Sequence, residues 1–256
     1  MYAEERQRSI VSLALRHDRV SVTELAAQFE VTPETIRRDL DVLDQRGILR
    51  RVHGGAVPAE NVRLVETALP EREVAHTAEK KRIGIAAVAQ LPIGTGATVL
   101  IDSGTTTAQL ANAIPQEGQY TVVTNSVSIA SQLAIRQRGE VQLLGGRVRG
   151  LTQATVGGDT VDAIRRIRVD VAFLGTNGLT LSHGLSTPDP DEAAVKRAMA
   201  SAARKVVVLA DSTKIGAELM LSFARIDEID VLVTDKRISP TDHALFTNHG
   251  IEVVVA

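Results

Sequence analysis

Apolar residues recur at helical spacing in the first part of the chain. The segment EERQRSIVSLALR, residues 4–16, places its apolar side chains on one face, which predicts an amphipathic helix. A short extended stretch, VSV at 20–22, precedes a second predicted helix around residues 23–30. A third helix is predicted from residue 33 to residue 46, after a tight turn.

Local residues mark the ends of the third helix. Thr32 can cap it, Pro33 suits its first position because a proline there loses no helical hydrogen bond, and Gly47 can close it in a left-handed conformation. Beyond it, ILRRVH at 48–53 is followed by two glycines, which predicts a short β-hairpin. The pattern is helix, helix, turn, helix and wing.

The pattern changes in the remainder of the chain. Residues 58–79 lose apolar periodicity, which predicts a linker running into a helix near 71–90. Seven runs rich in Val, Leu and Ile then alternate with helical segments, at 97–102, 120–125, 141–145, 169–175, 205–211, 230–235 and 252–256. Such continuous apolar runs indicate strands buried on both faces, and so a largely parallel sheet with helices on each side. We therefore predict a small module at 1–57, a linker at 58–79 and an α/β domain at 80–256.

The third helix has one apolar face and one basic face. At about 100° per residue, Ile36, Leu40 and Leu43 form a buried stripe, while Arg38 lies on the opposite side with Arg37 on its flank. In a helix-turn-helix, the second helix of the motif enters the major groove with its N-terminal residues at the base edges. Arginine can bind guanine or phosphate through two hydrogen bonds. The DNA-contact candidates are Thr32, Thr35, Arg37 and Arg38 on the helix, and Arg50, Arg51 and His53 on the wing.

An ordinary solvated helix face is the alternative, because Glu34 and Asp39 flank the two arginines. Residues 1–57 contain nine Arg and nine Asp or Glu. The arrangement favours DNA, however, because five of these arginines occupy the third helix and the wing. A net charge of −2 excludes a globally basic protein, and 2% aromatic residues argue against base-stacking platforms for single strands.

Other chemistries have weak support in the composition. The chain has no cysteine, and its six histidines have no metal-binding spacing, so we expect neither a metal nor a cofactor. The charged N-terminus and the absence of an apolar run of roughly 18 residues indicate neither export nor membrane insertion. We expect a cytoplasmic protein.

The N-terminal module resembles a known family. SVTELAAQFEVTPETIRRDLDVLDQRGILRRVHGGA is similar to the DNA-binding signature of the DeoR family of bacterial transcriptional regulators, with the resemblance covering residues 5–57. It implies a winged helix-turn-helix, usually of a repressor. It also implies that Arg37 and Arg38 face double-stranded operator DNA.

The stretch LIDSGTTTAQLANAI predicts a ligand site in the larger domain. A strand ends at Asp102, a Ser-Gly turn follows, and three threonines open a helix. Free N–H groups at a helix start, with hydroxyl donors beside them, suit a phosphate, and Gly104 allows close backbone approach. Plain helix caps explain the same threonines equally well. Polar stretches also follow other strands, TNS at 124–126, GGR at 145–147, GTNG at 175–178 and DSTK at 211–214, so we expect one shared pocket.

The larger domain also resembles the C-terminal sensor domain of DeoR-type regulators. IDSGTTT, VVTNS, LLGGRVR, VDVAFLGTNGLT, GLSTPDPDEAAVKRAM and VVVLADSTK carry the similarity, over about residues 75–235. The resemblance implies a fold similar to ribose-5-phosphate isomerase and CoA-transferases, and an effector that is a phosphorylated sugar. It assigns phosphate binding to Gly104, Thr105, Thr106 and Thr107, and other effector contacts to Asp102, Asn125, Arg147, Asn177, Glu192, Lys196 and Lys214.

These predictions describe a homo-oligomeric repressor, a dimer or tetramer, of a sugar catabolic operon. The starting MYAEERQ and the wing HGGAVP resemble fructose-operon regulators of this family from actinobacteria, which implies fructose 1-phosphate or a related fructose phosphate as the effector. The alternative is a sugar-phosphate isomerase-like enzyme, with Asp102, Glu192 or Asp211 as the carboxylate base. The attached DNA-binding module favours the regulator.

Overall fold

The computed structural model describes residues 6, 7, 9–11, 13, 14, 19–45, 49–52, 54–58, 69–94, 96–115, 119–136 and 139–256. The chain divides into two compact units, residues 1–66 and 67–256. The boundary between them falls inside the predicted linker, residues 58–79. None of the described helices is both long and apolar enough to cross a membrane.

The first unit is a helix-turn-helix with a small β-sheet. Helix α1 contains the described residues 6, 7, 9–11, 13 and 14. The other elements are β1 Val20–Ser21, α2 Val22–Gln28, α3 Pro33–Gln45, β2 Leu49–Val52 and β3 Gly55–Pro58. Strand β3 lies between β1 and β2 and is antiparallel to both, so the hairpin prediction is confirmed. Val22 begins α2 instead of extending β1, because the hydroxyl of Ser21 caps the helix one residue earlier than expected.

The core of the first unit is the predicted apolar stripe. Ile36, Leu40 and Leu43 are buried, and they share one cluster with Ile10 and Leu25. The three helices therefore pack together mainly through aliphatic side chains, with Phe29 at the edge of the cluster. Gly47, expected to close α3, lies outside the described residues.

The second unit is built on a seven-stranded sheet in which every neighbouring pair is parallel. Its strands, in chain order, are β4 Thr98–Ile101, β5 Thr121–Thr124, β6 Val141–Leu143, β9 Val171–Gly175, β12 Val206–Leu209, β14 Val231–Thr234 and β15 Glu252–Val255. They are the seven strands predicted from the apolar runs. Alternate residues of β4 belong to two different buried clusters, Leu100 to one and Val99 and Ile101 to the other. The sheet is thus buried on both faces, which explains why its strands are continuously apolar.

The helices of this unit pack on the sheet and on one another. They are α4 Leu69–Val74, α5 Thr77–Ala87, α6 Thr105–Ala113, α7 Val127–Arg136, α8 Gly158–Arg165, α9 Pro190–Ala202 and α10 Pro240–Asn248. The prediction of a single helix near 71–90 is wrong in one respect, because the helix is interrupted at Ala75 and His76. His76 has a left-handed backbone, with φ at 53°, and no helix can continue through that conformation.

Two small antiparallel sheets were not predicted from the sequence. One pairs β7 Arg147–Arg149 with β8 Ala154–Val156, and the other contains β10 Gly178–Thr180, β11 Gly184–Thr187 and β13 Leu221–Ala224. These strands have three or four residues each, which is too short for a clear alternation of apolar and polar positions.

The strand order creates a switch point at the centre of the large sheet. The order is β15-β14-β12-β9-β4-β5-β6, so the chain runs outwards from β4 through β5 to β6 and then returns to β9 on the other side of β4. In open α/β sheets, ligands bind beyond the carboxyl ends of strands at such a point. Here these are the ends of β4, β9 and their neighbour β12.

Candidate DNA interface and ligand pocket

The start of α3 is organised by threonine hydroxyls. The backbone N–H of Thr35 donates to Oγ1 of Thr32 at 3.2 Å, so the predicted cap is confirmed. The hydroxyls of Thr32 and Thr35 are also 2.9 Å apart. Pro33 is the first residue of the helix, as expected. Both hydroxyls therefore stand beside the first turn of α3.

The two arginines of α3 are exposed but differ in their contacts. Arg37 Nη1 lies 3.0 Å from Oε2 of Glu34, an ion pair in which both side chains are about half exposed or more. Arg38 forms no hydrogen bond or ion pair with any residue that the structure describes. Exposed ion pairs are worth about 1 kcal/mol or less, so Glu34 holds Arg37 only weakly.

Asp39 does not neutralise these arginines. It is buried, and its Oδ2 accepts a hydrogen bond of 2.6 Å from Nε of Arg6 in an ion pair that joins α1 to α3. Its Oδ1 accepts a further bond of 2.9 Å from Nε2 of Gln7. One of the two acids on which the solvated-face alternative depended therefore points into the module, and the outer face keeps its positive charge.

The wing residues have unequal positions. Arg50 is exposed, whereas Arg51 is partly buried and its Nε lies 3.3 Å from Oδ1 of Asp41 on α3. The backbone N–H of Arg51 also donates to Oδ1 of Asp44 at 3.0 Å. Arg51 thus attaches the wing to α3 and leaves Arg50 as the outward-facing cation of β2. His53 lies outside the described residues.

A pocket of about 110 Å³ lies in the second unit at the carboxyl ends of β4, β9 and β12. Eight of the eleven predicted effector residues line it: Asp102, Gly104, Thr105, Thr106, Asn177, Glu192, Lys196 and Lys214. They come from the segments after these three strands, which include the first turn of α6, and from α9. The shared pocket expected from the polar strand ends therefore forms, with three of the five strand ends contributing.

The N-terminus of α6 faces this pocket. Gly104 precedes the helix, and the structure describes no side-chain cap there. The first backbone N–H groups, together with Thr105 and Thr106, present donors and a positive dipole end to the pocket. Thr107 does not line it, because its fully buried hydroxyl donates to the carbonyl oxygens of Asp102 at 2.6 Å and Gly104 at 2.9 Å. A Cβ at Gly104 would lie 3.0 Å from that hydroxyl, so the glycine makes room for this turn.

Asp102 and Lys196 form a buried ion pair in the pocket wall. Lys196 Nζ contacts Oδ2 of Asp102 and donates to the carbonyl oxygen of Gly175 at 3.0 Å, while the N–H of Gly175 donates to the same Oδ2 at 3.0 Å. This network fixes the loops after β4 and β9 relative to each other. The other carboxylate oxygen, Oδ1 of Asp102, is buried without a partner among the described residues.

Asn125 and Arg147 do not line the pocket. Oδ1 of Asn125 accepts from the N–H of Ser103 at 3.0 Å, and its Nδ2 donates to the carbonyl oxygen of Thr155 at 3.2 Å, so this side chain supports the loop after β4 from behind. Arg147 is exposed and forms an ion pair with Asp191. Both follow strands, β5 and β6, on the side of β4 away from β9, and the sheet order therefore separates them from the pocket.

Glu192 is buried at the start of α9. Its backbone N–H is capped by Oδ1 of Asp189 at 2.9 Å. Its Oε1 accepts from Thr152 at 2.5 Å and from Nη1 of Arg149 at 3.2 Å. The negative charge of Glu192 is thus matched by Arg149, a residue that the sequence analysis did not select.

Helices α4 and α5 contribute a wall of the pocket that was not predicted from the sequence. Arg72, His76 and Lys80 line the pocket, and Lys80 is only 5% exposed. Burial lowers the pKa of Lys80 to about 8, although the nearby carboxylate of Asp211 opposes the shift. Lys80 shares the buried face of α5 with Ile83, Gly84 and Ala87. The sequence contained a signal for this residue, because Lys80 lies on the otherwise apolar face of a predicted helix.

Asp211, considered from the sequence only as a catalytic base, completes this wall. It is 1% exposed, and its Oδ1 accepts from the N–H of Thr213 at 3.1 Å. Burial disfavours its charged form, but Lys214, the bond from Thr213, His76 and Lys80 together hold its pKa below the ordinary value. Oδ2 of Asp211 has no partner among the described residues. The described part of the chain contains no group of three His, Asp or Glu side chains suited to a metal.

The sequence matches two family models that together span most of the chain. Residues 6–62 match the DeoR-like helix-turn-helix domain, and residues 75–236 match the DeoR C-terminal sensor domain. The first match contains the exposed face of α3, and the second contains every residue that lines the pocket except Arg72.

Relatives of similar length support the same grouping. The chain is 38% identical to the HTH-type transcriptional regulator GlpR of Haloferax volcanii, covering 99% of this chain and 98% of the relative. It is 35% identical to the uncharacterized HTH-type transcriptional regulator FruR of Bacillus subtilis, covering 100% and 98%. It is 32% identical to the glycerol-3-phosphate regulon repressor of Escherichia coli K12, covering 99% of each.

One solved structure to which the chain is similar is ribose 5 phosphate isomerase A from Neisseria gonorrhoeae. The match has 19% sequence identity and a TM-score of 0.39, and it covers 54% of this chain and 53% of that chain. The two family models and the full-length relatives are decisive. The chain belongs to the DeoR family of helix-turn-helix transcriptional regulators.

Proposed function

We propose that this protein is a transcriptional repressor of a sugar catabolic operon and that a phosphorylated sugar bound in the pocket relieves repression. The observation that carries the proposal is the uncapped N-terminus of α6, which opens into a pocket at the switch point of the sheet. A helix start of this kind binds phosphate through N–H groups and the helix dipole. The glycerol-3-phosphate regulon repressor among the relatives is named for a phosphorylated metabolite, which fits this class of effector.

The pocket also offers acceptors for sugar hydroxyls. Oδ1 of Asp102 and Oδ2 of Asp211 are buried and lack partners among the described residues, and both carboxylates line the pocket. A buried polar atom without a hydrogen bond is costly, so a ligand hydroxyl that donates to it is favoured. Phosphate at Thr105 and Thr106 and hydroxyls at the two carboxylates together describe a sugar phosphate.

Operator binding is assigned to the exposed side of α3 and to the wing. Arg38 has no partner among the described residues, so in this proposal it contacts a base, while Arg37 contacts a phosphate. Thr32 and Thr35 supply hydroxyls at the helix start, and Arg50 supplies a phosphate contact from the wing. The fixed position of Arg51 against Asp41 orients that wing.

Relief of repression requires two states of the regulator. In a homo-oligomer, a dimer or tetramer, two DNA-binding units must match the spacing of two half-sites. The effector changes operator affinity only if it binds the two states with different affinity, however tightly it binds either one. The chain between the units, within residues 58–79, is the proposed hinge.

Fructose 1-phosphate or a related fructose phosphate is the proposed effector, on the resemblance of MYAEERQ and HGGAVP to fructose-operon regulators. A thermal-shift panel on the full chain tests it with fructose 1-phosphate, fructose 6-phosphate, glycerol 3-phosphate and unphosphorylated fructose. Among these four compounds, we expect fructose 1-phosphate to raise the melting temperature most, because at equal concentration the ligand that binds the folded state most tightly stabilises it most.

The variant Thr106→Glu provides the matched control, because it places a carboxylate at the start of α6 where phosphate should bind. It should abolish the response to every phosphorylated compound. Equal responses of wild type and Thr106→Glu would contradict phosphate binding at this helix.

An isomerase-like enzyme is the second candidate, because a carboxylate base is one use for the unpartnered oxygens of Asp102 and Asp211. Pure protein incubated with aldose and ketose phosphates distinguishes the two functions. Measurable interconversion, without binding to the protein's own promoter region, would favour the enzyme.

A further inference from the structure

The charged residues of the pocket divide into paired and unpaired groups. Asp102 is paired with Lys196, and Glu192 is paired with Arg149. Three other cations of the pocket wall, Arg72, Lys80 and Lys214, form no ion pair with any described residue. The carboxylate that acts on two of them at longer range, Asp211, is also outside ion-pair distance.

Among these three cations, Lys80 is the most costly to leave without an ionic partner. It is 5% exposed, and its ammonium donates to the carbonyl oxygen of Arg72 at 2.5 Å, which occupies one of its three donors. A buried charge is costly unless it is paired and hydrogen-bonded. Because Lys80 lines the pocket, an anionic group of a bound ligand can pair with its ammonium.

The charge of this wall matches one phosphate group. Not counting His76, Arg72, Lys80 and Lys214 against Asp211 leave a net charge of +2. A phosphate monoester carries about −1.5 to −2 at neutral pH. By contrast, the wall at α6 offers a helix dipole and hydroxyls, and its lysine, Lys196, is already neutralised by Asp102. The pocket therefore has two places where an anionic group can bind, one at the start of α6 and one at Arg72, Lys80 and Lys214.

We propose that the effector carries two anionic groups and that Arg72, Lys80 and Lys214 bind the second one. The inference rests on the proposed function, in which α6 binds the first phosphate. A sugar bisphosphate and a phosphorylated sugar acid share this chemistry. The second anion is specificity-determining, because a monophosphate leaves the buried ammonium of Lys80 unpaired.

The second anion also contacts the elements nearest the DNA-binding unit in the chain. Arg72 lies on α4 and Lys80 on α5, the first two described helices of the larger unit. Helix α4 buries none of its residues, and the N–H of Leu69 donates to the carbonyl oxygen of Leu151 at 3.0 Å. An anion bound between Arg72 and Lys214 adds a direct link between α4 and the sheet. Effector binding is thereby connected to the segment that leads to the DNA-binding unit.

Calorimetric titration of the full chain tests the inference with fructose 1-phosphate, fructose 1,6-bisphosphate and 6-phosphogluconate. We expect the wild type to bind at least one doubly anionic compound about ten-fold more tightly than fructose 1-phosphate, the size of one additional charge-assisted hydrogen-bonded contact. The preferred compound identifies the second anion as phosphate or carboxylate.

Two variants and one control locate the second anion. Lys80→Met and Lys214→Met should each remove most of the preference, and Lys214→Met changes a less buried residue in case Lys80→Met does not fold. Lys81→Met, at the exposed neighbouring lysine, should retain the preference. Equal affinity of the wild type for singly and doubly anionic compounds would overturn the inference. So would no binding of either doubly anionic compound at millimolar concentration, or a preference that survives both variants.

The same titrations separate this inference from the proposed function. Unchanged fructose 1-phosphate affinity in Thr106→Glu contradicts the first phosphate site. The comparison between singly and doubly anionic compounds, made within each folded variant, tests only the second.

Discussion

Arg37 and Arg38 are adjacent on α3, but the residues around them give the two side chains different freedom. Arg37 is held weakly by Glu34, and Asp39 is buried in an ion pair with Arg6 and pairs with neither arginine. At the scale of single residues, the proposed function therefore depends on charged side chains that have no ion-pair partner among the described residues. Arg38 on the DNA-binding side and Lys80 in the pocket are the two clearest cases, and each leads to a prediction.

Replacing Arg38 with alanine should weaken binding to the specific operator by about 1–3 kcal/mol and relax the preference at one base position. Arg37→Ala should instead weaken binding to all sequences alike. It should also reduce the slope of log affinity against log salt concentration by about one, the change expected for one lost phosphate contact. Fluorescence anisotropy with operator and scrambled duplexes, over a range of salt concentrations, measures both effects. Arg166→Ala, at an exposed arginine of the larger unit, is the control. Unchanged operator affinity in Arg38→Ala would refute the base contact.

Binding of a doubly anionic effector should weaken as pH rises through about 8. The pKa of Lys80 is lowered to about 8 by burial, and the anion requires its protonated form, so affinity is highest below that pH and falls above it. The charged groups around it are Arg72 and Glu73 from α4, His76 from the turn, and Asp211 and Lys214 from the loop after β12. The decline should approach ten-fold per pH unit at most. Titrations from about pH 7 to pH 9.5 measure it, and a flat profile, or an equal decline in Lys80→Met, would count against it.

At the scale of elements, function depends on how helices are held by a few polar contacts. Helix α3 is fixed on its inner side by aliphatic packing and by the ion pair between Arg6 and Asp39, while Arg51 fixes the wing to its side. Helix α6 is positioned in the same way, since the buried Thr107 and Asn125 shape the loop from which it starts. These residues support the contact surfaces without forming them.

Removing Arg6 should destabilise the DNA-binding unit strongly. Arg6→Ala leaves the carboxylate of Asp39 buried and unpaired, which costs about 3–5 kcal/mol for a buried pair, whereas Arg37→Ala breaks an exposed pair worth about 1 kcal/mol or less. Chemical denaturation of the full chain, followed by helical circular dichroism, compares the two variants. The double variant Arg6→Leu with Asp39→Leu should recover much of the loss. Equal stability of Arg6→Ala and Arg37→Ala would show that the ion pair is not needed to hold α1 on α3.

At the scale of the whole molecule, the chain contains two compact units. In the proposed function, one binds DNA and the other binds the effector, and the segment between them links effector binding to DNA binding. The sensor unit places its pocket at the switch point of its sheet, and two of the pocket's cations come from the helices that follow the connecting segment. A regulator of this kind needs a ligand that favours one of two states. The proposed second anion, bound by α4 and α5, would provide that difference.

Much of this organisation follows from local sequence patterns. Helical spacing and end residues predict α3, its buried stripe and its exposed arginines, because side chains three and four residues apart share a face. Continuous Val, Leu and Ile runs predict all seven strands of the parallel sheet and the polar loops after them. Sequence alone also indicated the family, through the motifs on these loops.

Tertiary structure decided which of these local features meet. Asn125 and Arg147 belong to polar stretches that follow strands, like those that line the pocket. However, β5 and β6 lie on the side of β4 away from β9, and no local pattern encodes that order. The wall formed by Arg72 and Lys80 was missed for the same reason, because the two residues reach the pocket from helices that precede the first strand of the sheet. Local spacing determines the face on which a side chain lies. The burial of a charge, and the identity of its partner, depend on contacts between residues that are distant in the sequence.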